Sequence, residues 1–266
     1  MTVELTVVGS ANVDFVARLE RLPRPGETVT MRQFARYPGG KGANQAVAAA
    51  RLDAKVTFVG AVGEDGLADE ALAGLVAAGV ELEVERKGQT GAALIYVDAA
   101  GENEIAVFPG ANALVTPREV EGAVLCQLEV PDEVVLAAAS KASFFALNGA
   151  PAREIEIEPD LLVVNSLEYE VLKRGKLVAV TYGKDGAVLF EDGRQVAGSA
   201  SVEIIPVDGT GAGDAFTACL VVGLLEGRPY EEALRRACVA GAFAAATLGA
   251  QSSLPFTTQV EAWLKA

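Results

Sequence analysis

Short apolar runs alternate with alanine- and glycine-rich segments along most of this chain, and that alternation leaves few folds open. Leu5–Val8, Val56–Val62, Val124–Leu128, Phe144–Leu147, Leu161–Val164, Leu177–Thr181 and Ala187–Glu191 read as short buried strands. Between them lie segments of helical length, Gly42–Ala54, Gly66–Ala78 and Pro131–Ser140. Two long helices close the pattern. The first starts at Gly211–Asp214. The second starts near Pro229, carries Glu231 and Glu232 in its first turn, and ends before Gly249. Such alternation predicts an α/β fold, a doubly wound and mostly parallel sheet flanked by helices.

Half of the 266 residues are hydrophobic, so residues 1–266 can bury one sizeable core as a single α/β domain. Aromatic residues are few, and small side chains let helices approach a sheet closely. Two excursions interrupt the alternation, residues 15–37 and 91–108. Neither has a helical period. The first contains Pro23, Pro25 and Gly26, and the second folds around "DAAGEN". Both read as hairpins, and together they can pair into a small β-lid.

The net charge of −14 repels nucleic acid and anionic membranes, so neither is expected as a partner. A nucleotide is still accessible to such a chain through helix N-termini, single lysines and a bound metal. The chain has no histidine, which excludes a Ser-His-Asp triad, a His base or a His-ligated metal. Cys126, Cys219 and Cys238 lie far apart in apolar stretches and read as reduced thiols of a cytoplasmic protein. Glu4 stands where an export signal would have its apolar core. Ala237–Leu248 is uncharged but too short for a membrane span.

Four segments carry chemistry. In "DGTGAGDAF", Asp208–Phe216, three glycines precede Asp214 at a helix start. Glycines allow a tight turn whose N–H groups converge, and the helix dipole adds positive potential, so the turn can form an anion hole. Asp214 at its edge can take a proton from a hydroxyl during phosphoryl transfer. The same letters also describe a glycine-rich helix cap. In "YPGGKGANQA", Tyr37–Ala46, the spacing is not that of a Walker A loop. Its glycines, with Lys41 and Asn44, suit a polyhydroxyl ligand, or simply a loop and helix cap. "GSANVDF", Gly9–Phe15, follows the first strand, where open α/β sheets bind ligands. Asn12 and Asp14 alternate and can point together at sugar hydroxyls, or form an Asx turn. In "NSLE", Asn165 and Glu168 can share one face of a first helical turn and hold a Mg²⁺-bound water, or cap that turn.

Nearly end to end, these pieces and others resemble the ribokinase family of sugar kinases, within the phosphofructokinase-B superfamily. The further matching pieces are "LPRPGETV", "VGEDG", "NEIAVFPGAN", "LCQLEVP", "LNGAPAR", "VTYGKDG" and "AATLGAQSSLP". The resemblance implies ATP-dependent phosphorylation of a small sugar, ribose foremost, with Mg²⁺ and a monovalent cation such as K⁺. It implies that Asn12, Asp14, Gly40, Lys41, Asn44 and Glu129 hold the sugar. It places Gly211, Ala212 and Gly213 in the anion hole with Asp214 as base, and Asn165, Glu168, Thr181 and Gly183 beside the nucleotide. Asp208, Thr210, Ala244, Thr247, Gly249 and Ser253 would surround the monovalent cation. From the residues themselves, a small exposed lid with apolar positions such as Phe34, Ile95 and Val107 needs a partner for one face, so a homodimer through the lid is expected. Kinases of fructose or nucleosides, and a non-catalytic sugar or nucleotide sensor, share much of the pattern. A dinucleotide-dependent oxidoreductase does not, because the glycine fingerprint is wrong. One departure is plain: the segments before Asn165 and from Tyr169 to Leu177 are shorter than the family's.

Overall fold

The computed structural model describes residues 2–99 and 103–265. Part of the "DAAGEN" turn, residues 100–102, lies outside them. Strands β1 (Glu4–Val8), β2 (Asn12–Arg18) and β3 (Gln33–Gly39) precede helix α1 (Lys41–Arg51). Then come β4 (Lys55–Val62), α2 (Ala68–Ala77), β5 (Glu81–Arg86), β6 (Gly91–Val97) and β7 (Asn103–Phe108). The chain continues through β8 (Gly122–Gln127), α3 (Asp132–Ala139), β9 (Ala142–Asn148), β10 (Leu161–Asn165), β11 (Leu177–Thr181), β12 (Ala187–Glu191) and β13 (Arg194–Ser199). It closes with α4 (Ala212–Leu225), α5 (Tyr230–Ala245) and the short α6 (Ala250–Ser253) and α7 (Thr257–Trp263).

Nine strands form the main sheet in the order β13-β12-β11-β10-β9-β8-β1-β4-β5. All neighbours from β11 to β5 run parallel, and only β12 and β13 pair antiparallel. This is the expected mostly parallel sheet. Its strands alternate between two buried faces. Leu161 and Val163 of β10 join a core built with α1, α2, α4 and α5. Leu162 and Val164 face the other way, toward α3. Parallel strands read as continuous apolar runs because both faces are covered.

The two excursions do pair. β2 and β6 run side by side from Asn12↔Gly91 to Arg18↔Val97, with β3 and β7 outside them. The first excursion begins earlier than Phe15, so Asn12 and Asp14 sit on a lid strand rather than in a loop. Their spacing of two puts both on one face.

Several elements escaped the sequence reading. β5, "ELEVER", is an edge strand whose alternating glutamates face solvent. β13, "RQVAGS", returns antiparallel on β12. The last two helices are followed by α6 and α7, so the chain does not close on long helices. The expected helix after Asn165 is a single 3₁₀ turn, Glu168–Glu170. On that face of the sheet, residues 153–158 run without regular structure. Ile155 and Ile157 pack against the core while Glu154, Glu156 and Glu158 stay exposed. An extended strip with a period of two covers the sheet there. Among the described residues, no helix is long and apolar enough to cross a membrane.

Candidate active site

The polar residues gather at the carboxyl ends of the parallel strands, the usual place for ligands in open α/β sheets. A cleft of about 440 Å³ opens between this edge and the lid. Asn12, Asp14, Gly40, Lys41, Asn44 and Glu129 line it, with Asn165, Glu168, Thr181, Thr210, Gly211, Gly213 and Asp214. Ala93, Ile95, Ile105 and Val107 form its lid wall. Ile95, expected to be exposed on the lid, is buried in that wall.

Asp214 is the third residue of α4 and is buried. Gly211 precedes the helix with φ 81°, a left-handed conformation that glycine adopts without strain. Side chains at Gly209 or Gly213 would meet nothing within 4 Å, so the backbone there faces open space. The first N–H groups of a helix have no partner within it, and these can serve an anion.

Both oxygens of Asp214 are held. Asn44 Nδ2 donates to Oδ2 at 2.9 Å, and Gln45 Nε2 donates to Oδ1 at 2.9 Å. Burial pushes the Asp214 carboxyl above its ordinary range, against the Lys41 charge and those two hydrogen bonds. Asn44 Oδ1 is buried without a protein donor, an acceptor free for a ligand hydroxyl.

Around Lys41 stand Asp214, Glu129 and Glu168, whose charges outweigh the cost of burial and raise its pKa. Glu129 is fixed from below: Ser10 Oγ donates to its Oε2 at 2.5 Å and the Lys41 N–H at 3.0 Å. Asp14 is strongly perturbed. Burial first, then the charges of Glu129 and Asp214, push its carboxyl up to about 7. Its carboxylate lies over Gly39, where any Cβ would overlap it. Asn12 is oriented by Asn112, whose Nδ2 donates to Asn12 Oδ1 at 2.7 Å.

The remaining expected residues are placed less centrally. Asn165 Oδ1 accepts from the N–H groups of Leu167 and Glu168 at 2.9 Å each, and Glu168 Oε2 accepts from the Asn165 N–H at 2.8 Å. The pair is thus a capping box around the 3₁₀ turn, still at the cleft wall. Thr181 ends β11 at the cleft, whereas Gly183 lies in the next turn and is not part of the wall. Ala212 also lies outside it.

Asp208 sits beside a neighbouring cavity of about 520 Å³. Its Oδ1 accepts from Thr210 N–H and Oγ1, and its Oδ2 from the Gly249 N–H. Burial opposes ionisation of Asp208, but these hydrogen bonds prevail and hold its carboxyl below the usual range. Ala245 O accepts from the N–H groups of Val207 and Asp208. The loop before α4, the end of α5 and α6 are therefore neighbours. Ala244 is buried, Thr247 Oγ1 donates to Phe243 O, and Ser253 Oγ donates to Ala250 O.

Sequence reasoning gave no role to Ser10, Gln45, Asn112, Gln127 or Asn148. The one signal was a polar residue closing an apolar strand, as Gln127 and Asn148 do.

The sequence profile of the pfkB family carbohydrate kinases matches residues 3–148 and 162–257. A ribokinase of Bacillus subtilis (strain 168) is 37% identical over 292 aligned positions, covering 97% of this chain and 98% of that protein. The ribokinase structure from Thermotoga maritima superposes with a TM-score of 0.88 at 32% identity, covering 100% of both chains. The Arabidopsis thaliana ribokinase structure complexed with ribose and ATP gives 0.85 at 29% identity, again over 100% of both. The profile is interrupted between 148 and 162, where the extended strip runs. With the profile spanning both glycine segments and the fold shared along its whole length, the chain belongs to the pfkB family of carbohydrate kinases.

Proposed function

We propose that this protein transfers the terminal phosphoryl group of ATP to the 5-hydroxyl of D-ribose. The observation that carries this reading is Asp214, buried at the start of α4 between two amide donors and beside the open glycine turn. The likeness to a ribokinase structure complexed with ribose and ATP supports the choice of substrates. The hydroxyl oxygen bonds to phosphorus, the bond to the ADP oxygen breaks, and the proton goes to Asp214. The backbone of Gly211, Ala212 and Gly213 stabilises the charge on the transferring group. Asn12, Asp14, Lys41, Asn44 and Glu129 hold the sugar, with Gly40 allowing close approach. Thr181 and Gly183 flank the nucleotide. Mg²⁺ would come with the phosphates near Asn165 and Glu168 and supply positive charge to them.

A coupled assay of ADP release tests the substrate. Ribose is expected to give a higher kcat/KM than adenosine or fructose 6-phosphate. On the sugar side Lys41 is the only cation among the described residues lining the cleft, too little for a second phosphate. Higher efficiency on a phosphorylated sugar would overturn the assignment.

K⁺ is expected to raise turnover more than sugar affinity. Asp208, charged and already tied to Thr210 and Gly249, suits a cation held with carbonyls of the α5–α6 turn and with Ser253. Thr247 and Gly249 belong to that turn, and Ala244 lies in the last turn of α5. Initial rates in K⁺ and in a bulky organic cation at equal ionic strength check this, and equal rates would remove the cation site. On the lid face opposite the cleft wall Phe34, Leu94 and Phe108 are exposed, an apolar surface that suits pairing with the lid of a second copy.

A further inference from the structure

Gln45, Gln127 and Asn148 come from α1, β8 and β9, and all three are buried. They form one chain of amides. Gln127 Nε2 donates to Gln45 Oε1 at 2.7 Å. Gln45 Nε2 donates to Asp214 Oδ1 and to Asn148 Oδ1, each at 2.9 Å. Asn148 Nδ2 donates to the Val163 carbonyl at 3.1 Å. The direction of this chain is forced. Turning the Gln45 amide over would set its oxygen against two acceptor oxygens and its NH₂ against the NH₂ of Gln127. Gly9 makes room for the arrangement, since a Cβ there would overlap Gln127 Oε1.

We propose that Gln45 is a positioning residue for the base, locked by Gln127 and Asn148 so that one N–H is always offered to Asp214 Oδ1. This rests on the reading of Asp214 as the base. The charges facing Asp214 oppose one another: Lys41 of α1 favours the carboxylate, while Glu129 after β8 and Asp14 of β2 disfavour it. Glu168 acts on Lys41. Against burial, donated hydrogens help decide whether the base is ionised. Asn44 also donates, but it lines the cleft and is assigned to the sugar. Gln45 does not line the cleft, so changing it isolates the effect on Asp214.

The test is kcat at saturating ribose and ATP over the whole pH range in which the protein stays folded, where saturation removes the effect of Asp14 on sugar binding. In Gln45→Met the acid limb is expected to move up by about one pH unit, so turnover on that limb falls ~10-fold. At alkaline pH it should rejoin the parent protein within about threefold, with ribose KM equally close. A merely structural role would depress kcat alike at every pH. Gln127→Met should move the limb the same way by less, because it frees only Gln45 Oε1. Gln127 Oε1 already lacks a donor, so methionine is well tolerated there, and this variant decides the matter if Gln45→Met does not fold. An unmoved acid limb in the folded variant overturns the proposal. Asp214→Asn in the same series separates the two readings. If it is inactive beside an unmoved limb, only the role of Gln45 falls, whereas near-normal turnover removes the base and this proposal together.

Discussion

Asp214→Asn should lower turnover by at least about 100-fold while ribose affinity and the fold stay close to those of the parent protein, the loss that goes with a missing general base. The substitution keeps shape and volume. It removes a buried carboxyl whose ionisation burial already opposes, which offsets part of its cost. What it cannot keep is two acceptors. Asn44 and Gln45 each donate into the carboxylate, and an asparagine amide can accept from only one of them. A modest drop in melting temperature is therefore expected beside the large kinetic loss. The sugar-side contacts are built on β2, on α1 and after β8, so KM for ribose should change only a few-fold. Steady-state kinetics on the purified variant, with a thermal melt to verify folding, measure all three quantities. Turnover within tenfold of the parent would end the assignment of Asp214 as base.

Asp14→Asn should act in opposite directions on binding and on stability. The carboxylate is one of three around the sugar space, with Glu129 and Asp214, and its carboxyl is pushed up to about 7 by burial and by those neighbours. A charged hydrogen bond is worth about 1.5–3 kcal/mol, so ribose KM at pH 8 should rise ~10–100-fold. For the same reason KM of the parent protein should rise as pH falls through about 7, where Asp14 takes up a proton and loses its acceptor charge. Stability runs the other way. The folded state holds this proton more tightly than the unfolded chain does. The resulting stabilisation is fully present below about pH 4 and is lost as pH rises through about 7. At pH 8 the ligand-free fold carries a buried charge that asparagine does not. The rise from 3.8 to about 7 sets an upper bound of ~4 kcal/mol on that burden. The ligand-free variant should accordingly melt several degrees higher than the parent at pH 8, with a smaller gain at pH 5. Paired melts at the two pH values and a ribose titration check this. A variant that loses sugar affinity and also melts lower at pH 8 would show that Asp14 is held by stabilising partners rather than strained by its neighbours.

Such a trade of stability for binding is what a preorganised site requires. The lid strand holds Asp14 over Gly39, toward two other carboxylates, before any sugar arrives. Lys41 moderates the repulsion, and a sugar hydroxyl donating to Asp14 would relieve more of it.

The glycine turn and its aspartate were legible in the sequence because everything they need is local. Three glycines, a helix start and Asp214 lie within seven residues of Asp208, and helix geometry does the rest. The parallel sheet was legible too, since strands buried on two faces must be apolar throughout. Asn12 and Asp14 could be placed on one face from their spacing alone. The strand β13 was not legible, because a hairpin strand of charged and small residues carries no apolar period, whereas β5 alternates Leu82 and Val84 with glutamates and its short period-two signal was overlooked. Asn165 and Glu168 show a limit of another kind. Their spacing was read correctly, but which partners their side chains would take depended on where the 3₁₀ turn ended.

The amides were decided by tertiary structure alone. Gln45 stands inside the glycine-rich segment Tyr37–Ala46, yet its partners lie 82, 103 and 169 residues away on three other elements. No local pattern says that a glutamine will be buried, or which way its amide will face, because hydrogen-bond direction follows from groups that only folding brings together. The shortened face makes the same point. Its brevity is visible in the chain. That Ile155 and Ile157 would cover the sheet as an extended strip, with Glu154, Glu156 and Glu158 outward, depends on the face of β9 and β10 that also packs on α3 needing more apolar cover than that one helix supplies.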